Sequence, residues 1–108
     1  MSAQNVTVYR GESRRLDITV AGVEDLTGYT LHYRIAKAVG QEPVIALDTA
    51  DLTIDGVVVS VPLTTARTLL LLAGSEYYHE LFAVQGGERS VLMTGTVTVV
   101  ASQAARHT

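Results

Sequence analysis

The sequence contains no cysteine, which excludes a disulfide framework and any metal site that depends on thiolate ligands. Long apolar runs are also missing, since the longest extends only from Leu69 to Ala73 and is far too short to span a bilayer. Positive charge is scarce, with 8 basic against 11 acidic residues and a formal net charge of −3. Because nucleic-acid binding relies on clustered basic residues, we expect neither a nucleic acid nor a membrane as a partner.

The N-terminal residues Met1 to Asn5 lack the basic and apolar regions of a signal peptide, so we expect synthesis in a cytosol and no signal-dependent secretion. Of the 108 residues, 47% are apolar and 18% are charged, a composition typical of one globular domain with its own core. Both ends are polar. We therefore predict a flexible arm at 1–4, a single domain at 5–101 and a flexible tail at 102–108.

Apolar and polar residues alternate along much of the chain, and a period of two predicts β-strands. Two hairpins are indicated, one turning at Asp55-Gly56 and one at Gly86-Gly87-Glu88, because glycine supplies the positive φ that tight turns need. The predicted strands lie at 6–9, 16–20, 31–35, 44–47, 52–54, 57–59, 77–85 and 90–100.

One short helix is expected near 65–73, between a capping threonine at Thr64 or Thr65 and a stop at Gly74. Seven or eight short strands separated by turn signals predict an all-β protein, an antiparallel β-sandwich. A jelly roll is the alternative architecture.

Short motifs follow one another along nearly the whole chain: Val6-Thr7-Val8-Tyr9-Arg10-Gly11-Glu12, Asp25-Leu26-Thr27-Gly28-Tyr29-Thr30, Leu52-Thr53-Ile54-Asp55-Gly56, Leu63-Thr64-Thr65-Ala66, Leu71-Leu72-Ala73-Gly74, Tyr78-His79-Glu80-Leu81 and Leu92-Met93-Thr94-Gly95-Thr96-Val97-Thr98-Val99. Their order resembles the immunoglobulin-like domains of tailed-bacteriophage virion proteins, such as the N-terminal domain of baseplate upper proteins and head decoration, tail accessory or fibre-anchoring modules. The resemblance implies an immunoglobulin-like sandwich located in the virion after synthesis in the host cytoplasm. It also implies contacts with major capsid or tail and baseplate proteins, and with further copies of this chain. Because the chain stops soon after the last strand, without a fibre extension, we expect a decoration or accessory subunit.

Residues that carry catalytic or metal chemistry do not converge in the sequence. His32, His79 and His107 share no metal-ligand spacing, and none of the serines lies in a Gly-x-Ser-x-Gly turn. The acidic pairs lie in turns, where carboxylates commonly hydrogen-bond the local backbone. We therefore expect no enzyme, no catalytic residues, no metal and no cofactor.

The strand at 77–84 is informative because both of its faces carry apolar residues. An unpaired buried glutamate costs more than a buried neutral histidine, so the face with His79 is predicted to point inward and the face with Glu80 outward. This places Tyr78 and Phe82 on the surface. If strand 31–35 is the neighbour, His32 and Arg34 complete a candidate partner interface, since exposed aromatic side chains dominate many protein contacts.

Two other routes to a partner are open. The short strands Val6 to Tyr9 and Val44 to Leu47 are candidate sheet edges, which can add a strand from another chain, and the N-terminal arm can order on a neighbour. The leading hypothesis is a virion structural subunit that acts through protein contacts. A glycan-binding adhesion module is the alternative, because Tyr77 and Tyr78 lie near Glu76 and Glu80.

Overall fold

The computed structural model describes residues 2–20, 26 and 28–101, and most of these residues lie in β-strands. One short α-helix, α1 (Thr65–Thr68), and a 3₁₀ turn at Thr49–Asp51 are the helical elements of this part of the chain, and neither is long and apolar enough to cross a membrane. The strands are β1 (Ser2–Ala3), β2 (Val6–Tyr9), β3 (Arg14–Thr19), β4 (Thr30–Ala36), β5 (Pro43–Asp48), β6 (Thr53–Asp55), β7 (Val58–Leu63), β8 (Glu76–Gln85) and β9 (Glu88–Val100).

The strands form two sheets. The larger sheet has the order β1-β9-β8-β4-β5, with β2 also paired to β9, and the smaller sheet has the order β3-β7-β6. Strands β3, β6 and β7 are thus separated from β4, β5, β8 and β9, which is the division of an immunoglobulin-like sandwich rather than a jelly roll. The predicted all-β sandwich is confirmed. Its short helix covers only Thr65–Thr68, whereas the sequence predicted a helix near 65–73, because the amides of Leu70 and Leu71 bond three residues back in tighter turns.

The N-terminal strands differ from the prediction of purely antiparallel sheets. Both β1 and β2 run parallel to β9, whereas every other strand pair is antiparallel. Ser2–Ala3 lies in a strand, although the sequence predicted a flexible arm at 1–4. A parallel pair is not joined by a hairpin, so no local turn signal identifies the partner of these strands. Met1 and the predicted tail at 102–108, which includes His107, lie outside the described residues.

Both predicted hairpins are present, and both turns differ by one residue from the prediction, since Glu88, predicted in the second turn, pairs with Gln85 as the first residue of β9. Asp55 pairs with Val58, so the turn between β6 and β7 consists of Gly56 and Val57, not of Asp55 and Gly56. Only Gly56 has a positive φ there, as in a type II′ turn with glycine at its first central position. Between β8 and β9, Gly86 and Gly87 both have positive φ, as a type I′ turn requires.

The core lies between the sheets and is formed by the inward residues of every long strand. Alternation along β8 is as predicted: Tyr77, His79, Leu81 and Ala83 are buried, whereas the intervening residues are half-buried on the outer surface. Leu71, in the segment after α1, is fully buried. The hydroxyl of Tyr77 accepts a hydrogen bond of 2.9 Å from the amide of Leu72, the tyrosine corner of immunoglobulin-like domains. This bond fixes the crossing from the smaller sheet to the larger one.

Candidate functional site

The four residues predicted as a partner interface lie together on the outer surface of the larger sheet. Strands β4 and β8 are direct neighbours, and their register places His32 opposite Phe82 and Ala36 opposite Tyr78, with Arg34 between them. All four predicted side chains, which we call the Phe82 patch (His32, Arg34, Tyr78 and Phe82), are half-buried and point away from the core. In the described part of the chain no loop buries them fully.

Phe82 is at the centre of the Phe82 patch and is surrounded by nitrogen-bearing groups. The imidazole of His32 stacks on its ring with centroids 5.0 Å apart and planes inclined by 28°. The guanidinium carbons of Arg34 and Arg89 lie 5.7 Å and 5.0 Å from the ring centroid. A guanidinium at this distance is attracted by the negative face of the ring, so the aromatic side chain is held in place.

Arg89 was not identified from the sequence. It reaches Phe82 because the two-residue turn at Gly86-Gly87 pairs Phe82 with Val91, which makes Arg89, two residues before Val91, a diagonal neighbour of Phe82. Diagonal neighbours of this kind are within reach of a long side chain. The signal that could have found it is the glycine turn, because a two-residue turn at Gly86-Gly87 sets this register, whereas the predicted turn also included Glu88.

Asp48, at the end of β5, fixes the polar side of the Phe82 patch. Its Oδ1 accepts hydrogen bonds from Nδ1 of His32 at 2.7 Å and from Arg34 at 3.1 Å. These two donors hold the pKa of the Asp48 carboxyl below its usual range. Arg34 donates further bonds to the carbonyl oxygens of Tyr33 and Leu47, at 3.1 Å and 2.9 Å. The arginine is therefore oriented before any partner arrives.

A shallow depression of about 260 Å³ lies beside the Phe82 patch, where the loop between β4 and β5 rises above the sheet. Phe82 and Tyr78 contribute its aromatic wall, and Gln41 and Pro43 belong to the opposite rim. The pKa of the Tyr78 hydroxyl is raised by partial burial and by the neighbouring Glu80 carboxylate. The depression thus combines aromatic surface with amide and carboxylate groups.

The described residues do not assemble a catalytic constellation around His32. The His32–Asp48 pair has the geometry of an oriented base, but within the described ranges no hydroxyl group is hydrogen-bonded to the free Nε2 atom of His32. No group of three or more His, Asp or Glu residues in this part of the chain is placed to hold a metal ion. The Phe82 patch presents a fixed aromatic surface and a fixed polar rim.

His79 does not join the Phe82 patch and lies in the core. Its Nδ1 is 2.8 Å from the hydroxyl of Tyr33, and its Nε2 is 2.6 Å from the carbonyl oxygen of Gln4. A carbonyl can only accept, so Nε2 carries the proton and Nδ1 accepts from Tyr33. Burial lowers the pKa of His79 and raises that of Tyr33, which keeps both side chains uncharged.

The two candidate sheet edges lie at opposite sides of the larger sheet. Strand β5 is the last strand on one side, and β2 lies beside β9 on the other, as expected for the runs Val44 to Leu47 and Val6 to Tyr9. Val44 is partly exposed at the β5 edge. Both edges therefore present backbone groups next to the surface of the sandwich.

Comparison with known proteins adds no further identification: no protein-family model matches the chain, and no curated protein is significantly similar to it.

Proposed function

We propose that the protein is a non-enzymatic bacteriophage virion subunit, a head decoration protein or a tail or baseplate accessory protein, that acts through protein–protein contacts of its Phe82 patch. The observation that carries the contact role is the ordered aromatic surface at the centre of the larger sheet. The virion assignment rests on the resemblance of the sequence motifs to phage immunoglobulin-like domains.

The chemistry of the Phe82 patch favours a protein partner. Aromatic and arginine side chains are enriched among residues that dominate binding energy, because they bury a large area with few rotatable bonds to immobilise. Here Asp48 already restrains His32 and Arg34, so little conformational entropy remains to be lost on binding. A partner that covers Phe82 also excludes water from the neighbouring hydrogen bonds and strengthens them.

A charge placed at the centre of the Phe82 patch tests this role. We expect Phe82→Asp to leave the monomer folded, because the side chain is half-buried on the outer surface, and to abolish assembly with capsids or tails and with copies of the chain. Ile54→Asp is the matched control, because it makes the same type of change at a partly exposed residue of the smaller sheet.

Assembly is measured by size-exclusion chromatography with light scattering and by cosedimentation with purified capsids and with purified tails. Fixed stoichiometry on one of these particles identifies the location in the virion. Unchanged assembly of the folded Phe82→Asp protein would contradict the proposal, as would equal loss in the Ile54→Asp control.

The depression beside the Phe82 patch supports a second candidate, a glycan-binding adhesion module. Its lining combines the rings of Tyr78 and Phe82 with polar groups of Gln41 and Glu80, and sugars stack on such rings while their hydroxyls bond to amides and carboxylates. The isolated protein would then bind a glycan array, and Tyr78→Ala would remove that binding. Binding to virion particles without binding to glycans favours the structural role.

A further inference from the structure

The N-terminal segment, defined here as residues 2–5, lies on the edge of β9 as a continuation of β2. Ser2 is in register with Met93 and Val6 with Val97, so β1 and β2 follow β9 with one common offset. The pairing is interrupted only between them, at Gln4 and Asn5. A short strand that pairs along one edge only is a part of a fold that opens at low cost.

Polar contacts hold the segment at this interruption. The amide of Gln4 donates to the carbonyl of Thr94 at 2.8 Å, and the amide of Thr96 donates to Oδ1 of Asn5 at 3.0 Å. The third contact comes from inside the sandwich, where Nε2 of His79 donates to the carbonyl oxygen of Gln4. This carbonyl is therefore bound to a core side chain, not to the neighbouring strand.

Gly95 explains how the carbonyl reaches His79. An added Cβ at Gly95 would overlap the carbonyl group of Gln4 and would lie 2.9 Å from Nε2 of His79. Both Gln4 and Gly95 are half-buried, whereas His79 is fully buried. The segment and this glycine thus form the thin cover between the imidazole and solvent.

The surroundings of His79 offer no counter-ion for a protonated ring. From β4 the titratable group facing it is Tyr33, whose pKa is raised by burial, and from β9 the facing residue is Gly95. The inward residues of the smaller sheet are apolar. The charged groups beside the segment come from β3, where Arg14, Arg15 and Asp17 line a surface depression with Gln4 and Asn5. Burial lowers the pKa of His79, and this effect outweighs the hydrogen bond to the Gln4 carbonyl, which favours the charged ring.

We propose that the N-terminal segment is a pH-operated cover: it docks on β9 while His79 is neutral and detaches when His79 is protonated, while the sandwich from β2 to β9 stays folded. A buried imidazolium needs water, and opening the cover is the shortest way to supply it. Detachment leaves the edge of β9 between Met93 and Thr96 unpaired, a surface to which an extended chain can add.

Residue-resolved hydrogen exchange of the full chain between pH 7.5 and pH 5, expressed as protection factors, tests the proposal. We expect the protection of the Gln4 and Thr96 amides to fall about tenfold per pH unit once the pH is below about 6.5. The amide of Val20, which donates to Val57 in the body of the sandwich, is expected to keep its protection.

Two variants isolate the responsible histidine. The double variant His32→Gln/His107→Gln keeps His79 as the sole histidine and should retain the full pH response, whereas His79→Gln should lose it. If His79→Gln does not fold, the double variant still decides, since imidazole ¹⁵N spectra report protonation of its single histidine directly. Protection of Gln4 that is independent of pH would overturn the proposal. So would parallel loss of protection at Val20, or opening while His79 stays neutral.

Discussion

Gly95→Ala is the substitution for which the structure makes the sharpest stability prediction. Gly95 lies within β9 and is not among the glycines with positive φ, so alanine fits the local backbone. The added Cβ nevertheless overlaps the carbonyl of Gln4 and lies 2.6 Å from its carbon atom. Because that carbonyl is backbone, side-chain rotation cannot relieve the overlap, and the N-terminal segment must move away from β9.

The cost follows from the hydrogen bonds that this movement breaks. At Gln4 and Asn5, where the overlap occurs, three are lost: from Gln4 to Thr94, from Thr96 to Asn5 and from His79 to Gln4. At about 1 kcal/mol each they sum to about 3 kcal/mol. Replacing glycine by alanine offsets roughly 0.5–1 kcal/mol of this loss, because alanine lowers the conformational entropy of the unfolded chain. We therefore expect a net loss of about 2 kcal/mol, which lowers the melting temperature by roughly 10 °C for a domain of this size.

Urea unfolding at pH 7.5 measures this loss as a shift of the midpoint at constant slope. Gly40→Ala is the control for adding a methyl group, because an added Cβ there meets no atom within 4 Å and only the backbone strain of its φ of 83° remains. Introducing Gly95→Ala into an Asn5→Ala background should cost less than in the wild type, since the segment is already loosened. A Gly95→Ala protein within about 0.5 kcal/mol of the wild type would refute the close crossing of Gln4 over β9.

Three further predictions concern the core. Tyr77→Phe should lower the free energy of unfolding by about 1–2 kcal/mol in urea titrations, because the amide of Leu72 loses its acceptor; an unchanged midpoint would show that the corner bond contributes nothing. Thr68→Val removes a fully buried hydroxyl that accepts a hydrogen bond from the amide of Gly11 and donates one to the carbonyl of Glu12. We expect the free energy of unfolding to fall by about 1–3 kcal/mol, measured again as a shift of the urea midpoint. Stability of the wild type should fall as the pH decreases: the folded pKa of His79 lies below the unfolded value near 6.5, so the unfolded chain binds more protons in that interval. The contribution of His79 is complete above pH 6.5 and is lost as the pH falls through the folded pKa, and His79→Gln should flatten this part of a thermal-unfolding series.

The orientation of β8 was predictable from the sequence because it depends only on residues within the strand itself. A strand has a period of two, so placing any one residue inside places every second residue inside with it. The comparison of His79 with Glu80 was sufficient to decide which set is buried, and the structure confirms it. The same local rule located Tyr78 and Phe82 on the outer surface.

Contacts between distant parts of the chain could not be predicted from the sequence in this way. Asp48 reaches His32 because β5 pairs with β4 up to its last residue. The parallel pairing of Ser2–Ala3 joins residues about as far apart as the chain allows. Neither contact has a signature in the spacing of neighbouring residues, since each depends on which strands become neighbours.

The sequence by itself determined the all-β class, the approximate positions of strands β2 to β9, the inner and outer faces of β8 and the glycine hairpins, because periodicity and backbone conformation act over a few residues. Only the tertiary structure decided that β4 lies beside β8, which turns four separate residues into the Phe82 patch. It also decided that Gly95 leaves room for the carbonyl of Gln4 to reach His79. Both results depend on which strands become neighbours, and that choice is made by burial of the whole core rather than by any local segment.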